Sequence, residues 1–316
     1  MSVFKAGNTA VITGGASGIG LALAAKCLAS GMHVLVADKD AATLAAAPKH
    51  AAQLAGNSSS STGSLTTHTL DVSKPDDWKA LKEAVDAASG PLKGRINLLA
   101  LNAGVGGRTP WTDIDAFHRI LDVNLWGVIH GIATLLPSVH ATAGGSDAPE
   151  TAIVVTGSKQ GITNPPGTSP AYNASKAAVK SLTEQLAFDL DKKQTTHKKT
   201  TVHLLVPGWT FTGLGGNDPI KQHGDNAEQR PKKPDGAWWP EQVVEYLTDA
   251  MKENKFYVIC PDNDVTEEMD RKRILWSAGD VTEGREPLSR WRPDYKDAVD
   301  AWMKKQIYIG GYTRCN

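Results

Sequence analysis

The sequence predicts an α/β fold: a doubly wound, mostly seven-stranded parallel sheet with helices on both faces, followed by a C-terminal extension. Three observations lead there. Short β-branched and leucine-rich runs recur at 9–13, 33–37, 66–72, 96–101, 151–156, 201–206 and 256–260, with helical periodicity between them. The runs Ala152-Ile153-Val154-Val155 and Val202-His203-Leu204-Leu205-Val206 are largely apolar without alternation, as strands covered on both faces require. Right-handed crossovers between such strands then place helices on either side of the sheet.

The first strand, Thr9-Ala10-Val11-Ile12, runs into Thr13-Gly14-Gly15-Ala16-Ser17-Gly18-Ile19-Gly20, and helical periodicity starts at Leu21. Strand, glycine turn and helix make a phosphate cradle. Glycine lets the main chain turn tightly and approach a pyrophosphate, and the unpaired amides of the helix start face its charge. Gly14, Gly18 and Gly20 supply the turn, with Ser17 and Ile19 beside them, although this spacing departs from G-x-G-x-x-G. The second strand closes on Asp38 and Lys39. Asp38 stands eighteen residues after Gly20, where a carboxylate accepts hydrogen bonds from an adenosine ribose and repels a 2′-phosphate. Asp38 and the uncharged Ser17 favour NAD, while Lys39 softens that preference and leaves NADP open.

A low-complexity connection at 56–64 precedes the third strand, which ends at Asp71-Val72, and the fourth ends at Asn102-Ala103-Gly104. The stretch 112–136 is apolar nearly all round, with Phe117, Ile120, Leu125, Val128 and Leu135 among its residues. Either one face packs on the sheet and another on a second subunit, or the helix is buried in a monomer. Residues 142–150 read as a solvated loop. The fifth strand leads to Thr156-Gly157-Ser158, and the helix after it opens with Tyr172-Asn173-Ala174-Ser175-Lys176. The sixth runs into Pro207-Gly208, and the Gly, Pro, Lys and aromatic composition of 209–240 predicts a long loop beside the site. Residues 1–263 thus form one domain, and 264–316 an extension with Trp276, Trp291 and Trp302 that covers the pocket or clasps a partner.

Composition narrows the function. The 316 residues carry 34 basic and 34 acidic side chains, so no net field recruits nucleic acid or an anionic membrane. Cys27, Cys260 and Cys315 are odd in number and far apart, which fits a reducing compartment. No signal peptide and no apolar run of bilayer-spanning length is evident, so a cytoplasmic protein with a small-molecule partner is expected. The histidines, His118, His130 and His203 among them, lack metal-ligand spacing, and no metal is expected.

Tyr172 and Lys176 are four residues apart and so neighbours on one helix face. A phenol of pKa about 10 is a poor base at neutrality, and bringing it to about 7 takes roughly 4 kcal/mol. An ammonium about 4 Å away supplies that order of energy at an effective dielectric of about 20. The spacing therefore predicts that Lys176 lowers the Tyr172 hydroxyl.

In their order these motifs resemble the short-chain dehydrogenase/reductase family, in its compact branch, over about residues 5–262. Thr13 to Gly20 resembles its T-G-x-x-x-G-x-G cofactor loop, Asp71-Val72 its adenine-contacting pair, and Asn102-Ala103-Gly104 its N-A-G strand end. Asn124 falls where the family places a helix asparagine that holds a proton-relay water. Ser158 matches its catalytic serine, and Tyr172 with Lys176 its Y-x-x-x-K pair. Pro207-Gly208, with Thr210 and Thr212, resembles the segment beside the nicotinamide. Two departures stand out. Ser158 and Tyr172 are fourteen residues apart, one more than the family pattern, so a bulge is expected around Pro165-Pro166. The chain also continues for about fifty residues past the usual last strand.

The resemblance implies a Rossmann-type sheet and hydride transfer between NAD and a secondary alcohol or ketone. Tyr172 would act as general acid and base, Ser158 would hold the reacting oxygen, Lys176 would bind ribose hydroxyls, and Asn124 would position water. Trp111, Trp209, Phe211, Trp238 and Trp239 lie in loops after strand ends. They point to an apolar or cyclic substrate touching Trp209 and Phe211, or else they pack the long loop against the body. A homodimer or homotetramer is expected. The competing readings are a nicotinamide-bound regulator without turnover, and an epimerase or dehydratase using the same Tyr-Lys pair.

Overall fold

Alternation within each central strand sends one set of side chains to each face of a sheet, and a computed structural model of the protein shows both sets buried. It describes residues 3–56, 63–143, 150–192, 200–215, 230–262 and 265–305. In chain order the elements are β1 (Thr9–Thr13), α1 (Gly18–Ala29), β2 (His33–Asp38), α2 (Ala41–Ala55), β3 (Ser64–Thr69), α3 (Pro75–Ala87) and β4 (Leu98–Leu101). There follow α4 (Ile114–Leu121), a π-helical turn (Asp122–Trp126), α5 (Gly127–Ala143), β5 (Thr151–Thr156), α6 (Gln160–Thr163) and α7 (Pro170–Lys192). The chain then forms β6 (Thr200–Val206), α8 (Pro240–Lys252), β7 (Tyr257–Ile259), α9 (Glu267–Thr282) and α10 (Lys296–Lys304).

The strands form one seven-stranded sheet in the order β3-β2-β1-β4-β5-β6-β7. Every pair is parallel. Ala10, Ile12, Val34 and Val36 join a core with Leu21 of α1 and Val243 and Leu247 of α8. Val11, Leu35 and Leu99 join the opposite core with Trp78 and Leu81 of α3, Leu135 of α5 and Val179 of α7. The order reverses between β1 and β4, so the crevice outside their carboxyl ends lies at the switch point where such sheets bind ligands.

Three expectations are corrected. The third strand is Ser64–Thr69 rather than 66–72. The chain leaves the sheet because the Asp71 carboxylate accepts from the Ser73 amide and hydroxyl and bends it into a turn. Thr142 and Ala143, expected in a loop, complete α5, and the Thr142 hydroxyl donates to the Ser138 carbonyl at 2.8 Å. Ile114–Ala143 is also a continuous run of 30 residues, long and apolar enough by length and composition to cross a bilayer, contrary to the expectation that no such run exists. One face of it packs on the sheet through buried Val128, Leu135 and Val139, while Trp126 stays half exposed.

His203 is buried with both ring nitrogens bonded, to the Lys255 carbonyl and the Thr201 hydroxyl. Cys27 and Cys260 are buried free thiols, and burial raises both. Cys315, most of the 56–64 and 142–150 connections, and 216–229 of the long loop lie outside the described residues.

Candidate active site

The glycine turn is shaped by close approach. A Cβ on Gly14 would sit 2.7 Å from the Ala103 Cα, and one on Gly20 would run into the Gly14 carbonyl oxygen and lie 2.7 Å from Asn102 Nδ2. Gly14 also has φ +61°, a conformation that favours glycine. The Ser17 side chain, at the N-cap of α1, makes no capping bond, and the first turn carries no acid. The first helical bond runs from the Leu21 amide to the Ser17 carbonyl at 3.1 Å. The amides of Gly18, Ile19 and Gly20 therefore open onto the crevice mouth, an arrangement that fits a pyrophosphate.

Around this cradle the cofactor candidates divide by what their side chains do. Asp38 lies at the end of β2 and accepts from the amides of Ala16, Lys39 and Asp40, at 3.3, 2.8 and 3.4 Å. It thus closes the outer side of the glycine turn. Lys39 lies close enough to Asp71 to help hold that carboxyl below its ordinary value, together with the Ser73 hydrogen bonds and against desolvation, the largest influence. Val72 is buried, and its carbonyl accepts from Trp78 Nε1 at 2.9 Å.

Asn102 serves as a clasp. Its Nδ2 donates to the carbonyls of Thr13 and Gly14, and its Oδ1 accepts from the Thr156 hydroxyl. The amides of Asn102 and Ala103 donate to the Thr13 hydroxyl. Gly104 lies where a Cβ would meet Asn124 Oδ1 at 3.4 Å and Lys176 Nζ at 3.7 Å, so strand end, helix asparagine and lysine converge.

Asn124 is fully buried in the π turn, where a π-helical insertion commonly marks a functional position. Its Oδ1 accepts the Val105 amide at 2.8 Å, and its Nδ2 donates to the Val105 carbonyl at 3.0 Å and to Ser175 Oγ at 3.2 Å. The side chain is committed to protein partners, which leaves the loosened main chain of the turn to meet any water.

Ser158 follows β5, its Oγ accepts from the Gln160 amide at 3.2 Å, and it lies near enough to Tyr172 to draw that phenol down. Lys176, one helical turn on, is buried with its Nζ 5.8 Å from the centre of the Tyr172 ring. Here the structure corrects the electrostatic expectation. The ammonium donates to the Thr156 carbonyl at 2.7 Å, and burial pulls the lysine down to about 8. Burial pushes the Tyr172 phenol above its ordinary value, and the opposing pull comes from Ser158 rather than Lys176. The phenol therefore holds its proton at neutrality.

The extra residue between Ser158 and Tyr172 is absorbed after α6, where Asn164 is left-handed at φ +44°. Asn173 braces the loop, donating to Asn164 Oδ1, the Pro165 carbonyl and Thr168 Oγ1. Ser169, paired with Thr109 at 2.9 Å, accepts the Tyr172 amide at 3.3 Å and so seats the start of α7.

On the far wall, Thr212 lies against Gly18, within 3.2 Å of where a Cβ would stand. Thr210 Oγ1 donates to the Gly208 carbonyl at 3.3 Å in the segment that starts at Pro207. Trp209 is 53% exposed, whereas Phe211 is 7% exposed and lies edge-on to Trp239 at 5.5 Å. Trp238 packs on Tyr246 at 6.1 Å. Phe211, Trp238 and Trp239 thus brace the loop against the body, while Trp209 and the 82% exposed Trp111 present free ring surface.

Sequence reasoning missed one cluster beside Ser158: Lys159, Asp262 and Asp270 form a partly enclosed ion-pair network. Its one local signal is a lysine directly after the serine. Nothing in the spacing announces acids more than a hundred residues away.

A family profile described as short chain dehydrogenase matches residues 8–222. The chain is 32% identical over 257 residues to 2-(S)-hydroxypropyl-CoM dehydrogenase 3 of Xanthobacter autotrophicus, covering 78% of this chain and 90% of the relative. It is 29% identical over 232 residues to the NADP-dependent (R)-specific alcohol dehydrogenase of Lentilactobacillus kefiri, covering 73% and 83%. Among solved structures it resembles a short chain dehydrogenase/reductase from Burkholderia phymatum in complex with NAD. The TM-score is 0.70, with 27% identity, 91% of this chain and 98% of that one covered.

Proposed function

This chain belongs to the short-chain dehydrogenase family, and from that premise we propose that it interconverts a secondary alcohol and a ketone, with Tyr172 moving the proton. The observation that carries this reading is the convergence of three side chains, with Ser158 near enough to Tyr172 to draw its phenol down and Lys176 one turn along the helix, at the end of the sheet that holds the glycine cradle. A nicotinamide dinucleotide bound in the cradle would supply or accept the hydride.

In reduction the Tyr172 phenol, kept protonated by burial, gives its proton to the carbonyl oxygen as that oxygen gains charge. In oxidation the phenol first releases its own proton toward solvent, and the phenolate then takes the alcohol proton. Ser158 donates to the same oxygen and fixes its position, so orientation and charge stabilisation act together. Lys176 holds the end of β5 through Thr156, stands 5.8 Å from the centre of the Tyr172 ring and would bind the ribose hydroxyls of the nucleotide. Asn124 fixes the loop after β4 through Val105, and the main chain of its π turn is the place for a water linking Lys176 to solvent.

Gly18, Ile19 and Gly20 would hold the pyrophosphate through their amides, and Asp38 would take the adenosine ribose hydroxyls, which favours NAD over NADP. For the substrate, exposed Trp209 and Trp111 support an apolar or cyclic alcohol. Half-exposed Leu214, which approaches Gly106 on the opposite loop, supports the same reading. A panel of cyclic, aromatic and small polar alcohols, followed by NADH absorbance, tests this directly. Cyclic substrates should give the higher kcat/KM, and the reverse order would remove the apolar pocket.

The decisive variant is Tyr172→Phe. It should bind NADH as the wild type does and lose nearly all turnover. Turnover near the wild-type rate would end the role given to the tyrosine.

A further inference from the structure

The C-terminal extension reaches the catalytic wall through Lys159. This lysine directly follows Ser158 and lies just before α6, and its Nζ stands 2.5 Å from Asp262 Oδ1 and 2.6 Å from Asp270 Oδ2. The three side chains are 17%, 15% and 5% exposed, so water screens them little. Asp262 follows β7, and its second oxygen accepts the Trp209 amide at 2.7 Å. Its carboxylate presses so closely on Gly208 that a Cβ there would overlap it. Asp270 stands in the first turn of α9, and α6 packs against α9. One ammonium therefore joins three pieces of chain that are far apart in sequence: the serine strand end, the Gly208–Trp209 segment and the extension.

The charges make this joint stiff. Two enclosed carboxylates both pair with Lys159, so moving it would set two like charges against each other and leave Asp270 to the weaker pull of Arg273 and Arg290. The residue held in this way is the immediate neighbour of Ser158, whose hydroxyl must meet the substrate oxygen within a few tenths of an ångström to act. We propose that Lys159, gripped by Asp262 and by Asp270 of the extension, is a positioning residue for Ser158, so that α9 forms a working part of the catalytic wall. The catalytic part of this proposal rests on the alcohol-ketone reading above. The mechanical part, that the grip orders residues 157–164, stands on the ion pairs alone.

The test uses the full chain with Lys159→Met, Lys159→Arg and Asp270→Asn. Steady-state kinetics with the best alcohol are normalised to sites that bind NADH, and hydrogen exchange is followed over 157–164. Lys159→Met and Asp270→Asn should lower kcat per binding site by roughly tenfold to a hundredfold, the cost expected of a small misplacement. KM for the alcohol should change much less, Lys159→Arg should recover most of the loss, and exchange over 157–164 should quicken. A purely structural role would lower the yield of folded protein and leave kcat per binding site intact, and that result overturns the proposal. If Lys159→Met does not fold, Asp270→Asn decides, since it removes one charge and keeps the Lys159–Asp262 pair. If the wild type oxidises no alcohol, the functional reading falls by itself. Exchange over 157–164 then judges the grip: quickening supports it, and exchange unchanged in both variants overturns it.

Discussion

The glycine turn after β1 and the ion-paired wall after β5 stand at the same end of the sheet, yet they are built by opposite means. The turn is made of main chain drawn from a few successive residues, and its shape follows from the absence of side chains at Gly14 and Gly20. The wall is made of side-chain charges from two distant stretches of chain, and its shape follows from Lys159 answering Asp262 and Asp270 at once. A turn of the first kind tolerates no added atom. A wall of the second kind tolerates a change of atoms as long as charge and reach are kept.

The contrast can be pressed hardest at the tyrosine between the two regions. Tyr172→Phe should lower kcat about a thousandfold, within the range of lost acid-base catalysis, while the affinity for NADH, measured by fluorescence, stays unchanged. A simultaneous loss of binding would place Tyr172 in the cradle rather than the wall. Next comes Gly20→Ala, which sets a methyl against the Gly14 carbonyl. It should weaken NADH binding by roughly a hundredfold, about 3 kcal/mol. An affinity near that of the wild type would show that the turn has room the coordinates deny.

The third probe compares the wild type with Lys176→Met across alkaline pH. Folded Lys176 titrates at about 8 against an ordinary 10.5. Between those values the unfolded chain binds more protons, so the wild type gains stability as pH rises, after bearing the cost of a buried charge below pH 8. The difference between the two proteins in urea unfolding should grow in favour of the wild type by roughly 3 kcal/mol between pH 7 and about 10.5. A flat difference would mean that the lysine is better solvated than its surroundings imply. The smallest effect is expected from Asp38→Asn, which removes the charge that repels a 2′-phosphate. The ratio of kcat/KM for NADP over NAD should rise about tenfold, near 1.4 kcal/mol, and no change in that ratio would deny Asp38 its part in nucleotide choice.

What could be read beforehand follows the same division. The sheet, the cradle and the Tyr172–Lys176 pairing rest on local pattern, because periodicity, glycine spacing and a four-residue interval are all written in consecutive residues. Long-range contacts escaped. Asn124 turned out to spend its amide on Val105, Phe211 to lean on Trp239, and the Lys176 ammonium to donate to Thr156, each decided by a partner from another element. The early end of β3 is a near miss of a different kind, since Asp71 and Ser73 carry a turn signal that the apolar run through Leu70 and Val72 overrode.

The π turn at Asp122–Trp126 separates two properties of the chain. It accommodates a residue beyond regular winding, so deleting one position there would let the helix close into ordinary α-turns while Ile114–Leu121 keeps its face toward the body. Ile120, now sealed from water, would stay in its seat, while Asn124, inside the turn, would lose its hold on Val105. A one-residue loss here would thus spare the packing and forfeit the chemistry, so this turn is a place where the fold can persist after the site is gone.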